Sequence, residues 1–290
     1  MKDSLPTIGF IGLGVMGKSM AEHLINKNYQ VNLFTRTKAK AETLLTQGGK
    51  WHNNVASLSS NSDIIITIVG FPEDVEEIYL GIDGILDHAN ENTIVIDMTT
   101  SEPSLAKKIH TEALKKNIHS LDAPISGGDL GAKNATLSIM VGGDKETFKK
   151  ALPVLEVMGK NIVLQGPAGS GQHTKMCNQI AIASNMLGVC EALAYANKNG
   201  LDANTVLKSI SEGAAGSWSL SNLVPRMINN DFDPGFYIKH FIKDMKIAVK
   251  EAKAAGLDCT GLELSLKQYQ ELQDSGKGDL GTQALYQYYQ

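Results

Sequence analysis

Cysteine is scarce in this sequence: Cys177, Cys190 and Cys259 are widely spaced and odd in number. With no CxxC pair there is no zinc knuckle and no dithiol redox centre, and a reducing compartment fits best. The seven histidines lack HExxH spacing, so a metal site has no support. Long apolar runs are missing too. The longest, around Ile64–Val69, is far short of the roughly 20 residues that cross a bilayer, and no membrane partner is expected. Nor is there a basic excess. With 27 Lys and Arg against 31 Asp and Glu, the net charge of −4 provides no positive field for nucleic acid. Lys2 ahead of an apolar stretch imitates a secretion signal. Asp3, the glycines at 9, 12, 14 and 17, and the missing cleavage site argue against one, and the chain reads as cytoplasmic.

What is present is globular in character. A chain of 290 residues, 42% hydrophobic and 20% charged, exceeds a typical single domain and implies two. Up to residue 165, short β-branched runs alternate with helical patterns, as βαβ units of a parallel sheet do. Strands are expected at Thr7–Ile11, Gln30–Phe34, Ile64–Val69, Ile94–Asp97 and His119–Asp122, with two more at Leu137–Val141 and Ile162–Gln165. Helices are expected at Val15–Asn26, Lys38–Gln47, Glu73–Leu80, Pro103–Lys116 and Lys145–Met158. The expected fold class is α/β, a doubly wound domain at 1–165 followed by an all-helical domain at 166–290. The joint is the turn-forming segment 165–171. From Lys175 to Asn199 charge is nearly absent, which predicts a helix running through a core. Further helices are expected at Ala203–Ser211, Lys239–Ala255 and Leu262–Ser275.

Gly12, Gly14 and Gly17 form GxGxxG between an expected strand and an expected helix, the context a dinucleotide fingerprint requires. The first glycine permits the tight turn and the second lets the backbone approach a pyrophosphate. The third packs helix on strand, and the helix N-terminus faces the phosphates. The whole loop Gly12-Leu13-Gly14-Val15-Met16-Gly17 is therefore a cofactor candidate. About 20 residues on, where NAD-binding chains place a carboxylate for the ribose, stands Thr35-Arg36-Thr37. Arg36 is suited to a 2′-phosphate, so NADP is favoured and NAD remains the alternative.

Two further segments carry chemistry. Ser126-Gly127-Gly128 follows a strand end and can offer backbone N–H groups and a hydroxyl to a carboxylate. Lys175 is expected in the first turn of the long apolar helix, where burial and the positive helix end disfavour an ammonium and suit general acid/base work. Asn178 and Gln179, at i+3 and i+4, share its face.

In this order the segments resemble the β-hydroxyacid dehydrogenase family, typified by 3-hydroxyisobutyrate dehydrogenase. The resemblance spans essentially the whole chain and rests on Phe10–Gly17 with Met20-Ala21, Asp97–Pro103, Asp122–Gly128, Gly169–Asn178 and Phe241–Asp244. It implies a Rossmann-type domain, a helical domain and an active site in the cleft between them. It makes Lys175 the catalytic acid/base assisted by Asn178, and Ser126, Gly127 and Gly128 the anchor of the substrate carboxylate. Val69, Gly70, Thr100 and Lys243, with Asp244 beside it, become cofactor residues, and Gly213–Trp218 a segment closing over a small carboxylate substrate. It also implies a homodimer or homotetramer. Gln179 departs from the family, which has a second Asn there, and Asn28 stands where a Gly is usual. The rival readings are an oxidative decarboxylase resembling 6-phosphogluconate dehydrogenase and a non-catalytic dinucleotide-binding module.

Overall fold

The structure is a computed structural model and describes residues 5–290; Lys2 and Asp3, weighed above, lie outside them. Packing divides the chain into two compact units, residues 1–175 and 176–290. The composition shift had put the junction ten residues earlier.

The first unit is built on strands β1 (Ile8–Ile11), β2 (Val31–Phe34), β3 (Lys50–Trp51), β4 (Ile64–Thr67), β5 (Ile94–Asp97), β6 (His119–Asp122), β7 (Ile125–Ser126), β8 (Leu137–Gly143) and β9 (Gly159–Gly166). The sheet runs in the order β3-β2-β1-β4-β5-β6-β8-β7, with β9 on β8. Strands β3 to β6 of that order are parallel, and β8 joins β6 antiparallel. β1, β4 and β5 are buried throughout, because crossover helices cover both faces of a parallel sheet. Their side chains alternate between two cores: Ile64, Ile66, Ile94 and Ile96 pack on one face, Ile65 and Val95 on the other. The order reverses at β1 and β4, which puts the loops after those strands at the topological switch point where open α/β sheets bind ligands.

The helices of this unit are α1 (Gly17–Asn26), α2 (Glu42–Thr46), α3 (Val55–Ser59), α4 (Pro72–Leu80), α5 (Ile85–His88), α6 (Pro103–Leu114), α7 (Gly128–Lys133) and α8 (Lys145–Leu155). Asn28, just past α1, has φ +64°, a left-handed conformation that asparagine tolerates and that explains why glycine also suits the position. The helix expected over Lys38–Gln47 is instead a 3₁₀ turn, Lys38–Ala41, leading into the short α2.

The second unit continues α9 (Ser170–Lys198) and adds α10 (Ala203–Ile210), α11 (Trp218–Asn222), α12 (Val224–Ile228), α13 (Ile238–Ala254) and α14 (Thr260–Leu272). Its core gathers the apolar faces of α9, α13 and α14, with Phe241 edge-on to Tyr269 at 5.1 Å between centroids. α9 is not enclosed on every side, as its composition had implied. His173, Cys177, Ala181, Ser184 and Gly188 form an exposed stripe along it. Beyond His173 only small residues sit there, so a hydropathy count registers no polar face although one side is open. No helix among the described residues is long and apolar enough to cross a membrane.

Candidate functional site

In the first unit the glycine loop follows β1 and leads into α1. Gly12 has φ +100°, and a Cβ there would collide with the Ile68 carbonyl oxygen. A Cβ on Gly17 would strike the Gly12 carbonyl oxygen, so the first and third glycines are demanded by the fold. Gly14 differs: nothing lies within 4 Å of the Cβ it lacks. Packing does not require glycine at 14, whereas close approach of a pyrophosphate does. Among the described residues no side chain caps α1, and no acidic residue stands in its first turn. The loop and helix end thus fit a dinucleotide phosphate. Leu13 is buried in the core and Met16 packs against it, so these two can offer only backbone, while Val15 is exposed.

Across the switch point, Val69 N–H donates to Thr99 Oγ1 at 3.0 Å, tying the loop after β4 to the loop after β5. Below it Asp97 is buried. One carboxylate oxygen accepts from Thr67 Oγ1 at 2.9 Å and from Thr99 N–H at 3.1 Å. Burial raises this carboxyl to a pKa of about 6, against the hydrogen bonds from Thr99 and Thr67, which pull it down. The folded state therefore holds a proton that the unfolded chain has released between roughly pH 4 and pH 6, and stability falls as pH rises through that window. Asn in place of Asp97 keeps the accepting oxygen and removes the buried charge. Asp97→Asn is expected to stabilise the protein at pH 8 by on the order of 1–3 kcal/mol, with the gain vanishing toward pH 4. Urea midpoints of the two proteins across that range check it, and a pH-independent difference would refute it.

The candidate cofactor residues at the end of β2 sit at the rim. Arg36 is 83% exposed and pairs through Nη1 with Asp74 Oδ1 at 3.1 Å. The other Asp74 oxygen accepts the Phe71 N–H at the start of α4. Thr35 and Thr37 flank it, and the Thr37 carbonyl closes the 3₁₀ turn with Lys40 N–H. Arg36 is thus the exposed half of this pair, while Asp74 is largely covered at 18% exposure.

Lys175 lies on α9, but not where the sequence reading put it. The helix begins at Ser170, so Lys175 occupies the second turn and the argument from the positive helix end loses most of its force, since that field fades within one turn. Burial remains: Lys175 is 6% exposed. Its Nζ donates to the Ile125 carbonyl at 2.8 Å, immediately before Ser126-Gly127-Gly128. Gly127 (φ +130°) and Gly128 (φ +63°) both adopt backbone conformations that disfavour side chains, which is why two glycines follow the serine. The structure thus brings the lysine to the candidate anion turn.

Two residues that place this lysine were not singled out from sequence. Asp122, at the end of β6, accepts from Gly169 N–H at 2.7 Å and Gln172 N–H at 2.9 Å and so caps the start of α9. Burial raises its carboxyl above the ordinary range, opposed by those N–H groups. Gln172 donates to the Thr99 carbonyl and accepts from Ser101 N–H. An Asp at a strand end and a Gln in a first turn were the visible signals.

In the second unit Asn178 Nδ2 donates to Gln179 Oε1 at 2.7 Å. Gln179 Nε2 donates to Asp244 Oδ2 at 2.6 Å, and Lys243 Nζ lies 2.8 Å from Asp244 Oδ1. Trp218 opens α11 behind its cap Ser217 and is half exposed.

Residues 7–166 match the family model described as the NAD binding domain of 6-phosphogluconate dehydrogenase. Residues 169–289 match that described as NAD-binding of NADP-dependent 3-hydroxyisobutyrate dehydrogenase. An uncharacterized oxidoreductase, YkwC, of Bacillus subtilis is 59% identical over 97% of this chain and 97% of its own. A probable 3-hydroxyisobutyrate dehydrogenase-like protein of Arabidopsis thaliana is 49% identical over 96% of this chain and 83% of its own. Among solved structures, Mycobacterium tuberculosis 3-hydroxyisobutyrate dehydrogenase with L-serine superposes with a TM-score of 0.87 at 30% identity, covering 98% of this chain and 99% of that one.

Proposed function

Since the chain belongs to the β-hydroxyacid dehydrogenase family and is an NAD(P)-dependent dehydrogenase acting on CH–OH, we propose that it interconverts a small β-hydroxy acid and the corresponding semialdehyde, with Lys175 as acid/base and NADP as the preferred cofactor. The observation that carries this reading is the buried Lys175 amine 2.8 Å from the Ile125 carbonyl, at the entrance to Ser126-Gly127-Gly128.

The substrate carboxylate sits on the Ser126 hydroxyl and the backbone of Gly127 and Gly128, which leaves the hydroxyl to Lys175. Its amine takes the hydroxyl proton during oxidation and, as an ammonium, returns it to the carbonyl oxygen during reduction. The nicotinamide, when bound, accepts or supplies the hydride. Gly12–Gly17 hold the pyrophosphate, Val69, Gly70 and Thr100 contact the cofactor, and Arg36 takes the 2′-phosphate with Thr35 and Thr37 beside it. The family resemblance supports a substrate role for Asn178 and Trp218 and a cofactor role for Lys243 with Asp244. The test is NADPH consumption with semialdehydes and glyoxylate, and NADP⁺ reduction with 3-hydroxyisobutyrate. No change across the set would sink the reading.

Cofactor choice has its own check. A charge-assisted bond to the 2′-phosphate is worth about 1.5–3 kcal/mol, or roughly 10–100-fold. Arg36→Ala is expected to lower kcat/KM with NADPH by about that factor and to leave kcat/KM with NADH within about twofold. An equal effect on both cofactors would remove Arg36 from the 2′-phosphate.

A further inference from the structure

Four side chains on α9 and α13 form one continuous line, buried at its middle and half-buried at both ends: Asn178 to Gln179, Gln179 to Asp244, Asp244 to Lys243. Gln179 is 1% exposed, and Asp244 is buried to the same degree. The orientation of the Gln179 amide is forced. A carboxylate only accepts, so the NH₂ must face Asp244 and the carbonyl oxygen is left to receive Asn178. Both ends of the line are also unusual in helical terms. Side chains at i and i+1 diverge by about 100° and do not normally meet, yet Asn178 bonds Gln179 and Lys243 pairs with Asp244.

We propose that Gln179 is a positioning residue which, through the Asp244 carboxylate, ties the substrate-side Asn178 to the cofactor-side Lys243. The proposal rests on the roles given above to Asn178 and Lys243. Asp244 is a buried anion that accepts one hydrogen bond, from Gln179, and has Lys243 as its ion-pair partner at the other oxygen, which accepts no hydrogen bond. If Gln179 is withdrawn, the carboxylate must rely on Lys243, whose ammonium is then held back from the dinucleotide. In the same step Asn178 loses its acceptor and its amide is free to rotate. One uncharged side chain therefore governs both halves.

The test uses the full chain and two substitutions. Gln179→Met removes both hydrogen bonds at similar volume. It is expected to weaken NADPH binding, read by fluorescence titration without substrate, by roughly tenfold and to raise KM for the acid. Gln179→Glu sets a second carboxylate against Asp244. Around it stand Lys243 and Asp244, with His240 one turn earlier on α13 and Lys175 one turn earlier on α9. Ionised, the introduced carboxylate repels Asp244, and NADPH affinity at about pH 8.5 should fall further than in Gln179→Met. Protonated, its O–H donates to Asp244 while its carbonyl accepts from Asn178, reproducing the glutamine. At about pH 5.5 affinity should return to within roughly threefold of wild type measured at that pH. A side chain that merely fills space would shift Tm without this recovery. If both variants bind NADPH as wild type does at each pH, the coupling is wrong. Lys175→Ala, run in parallel, separates the two readings: turnover surviving in that variant removes the catalytic assignment, whatever position 179 does.

Discussion

Lys175→Ala is expected to lower kcat by about 10²–10⁴-fold, the usual worth of a positioned proton donor or acceptor, while the Kd for NADPH and the Tm stay close to wild type. The asymmetry follows from where the amine sits. It bonds the Ile125 carbonyl, one residue before the candidate carboxylate turn and well along the chain from the glycine loop. Alanine removes a buried amine together with its hydrogen bonding, effects that oppose each other in stability, so the fold and the dinucleotide subsite should persist. Steady-state turnover with the best aldehyde, alongside fluorescence titration of NADPH, measures both. A variant with wild-type turnover would strip Lys175 of its role, and one that no longer binds NADPH would recast it as structural.

Much of this arrangement was open to a reader of the sequence. Ile64-Ile-Ile-Thr67 and Ile94-Val-Ile-Asp97 announced buried parallel strands because nothing polar interrupts them, and the glycine loop stood in its required place between strand and helix. What could not be read depends on partners far away along the chain. Gly169 and Gly171 look like breakers, yet only Gly169, with φ +90°, lies outside the helix, and Gly171 is already within α9. Asp122 and Gln172 nonetheless start α9 at Ser170 by meeting N–H and carbonyl groups of two segments, 169–172 and 99–101. That shift moved Lys175 into the second turn and left burial, not the helix end, as the support for its chemistry. Helix α7 was missed because six residues with two glycines carry no periodicity; its start is set by the left-handed turn at Gly127 and Gly128. The line from Asn178 to Lys243 joins residues 65 positions apart, and only its two end pairs, Asn178 with Gln179 and Lys243 with Asp244, were visible as neighbours; the bond from Gln179 to Asp244 was not.

Asp122→Ala should be the most damaging change to stability at the site. The carboxylate is the acceptor for two buried N–H groups, and each such group left without a partner costs about 1–3 kcal/mol, so a loss of roughly 2–5 kcal/mol is expected after some relief from removing a buried charge. The surroundings offer little room to adjust. A Cβ on Gly142 would come within 2.5 Å of Asp122 Oδ1, and one on Gly171 would strike the carbonyl oxygens of Met140 and Asp122, so strand and helix already meet backbone to backbone. Asp122→Asn is the finer probe, since its single carbonyl oxygen satisfies one N–H and turns an NH₂ toward the other. With the first turn of α9 loosened, Lys175 one turn later no longer meets the Ser126-Gly127-Gly128 segment at a fixed distance. Turnover of Asp122→Asn should fall about tenfold at unchanged NADPH affinity, because misplacement by an ångström is costly for chemistry and not for a distant phosphate subsite. Urea unfolding, kcat and NADPH titration of the same preparation decide it. Wild-type stability and turnover in Asp122→Asn would mean that Gln172 and the packing glycines hold the helix start unaided.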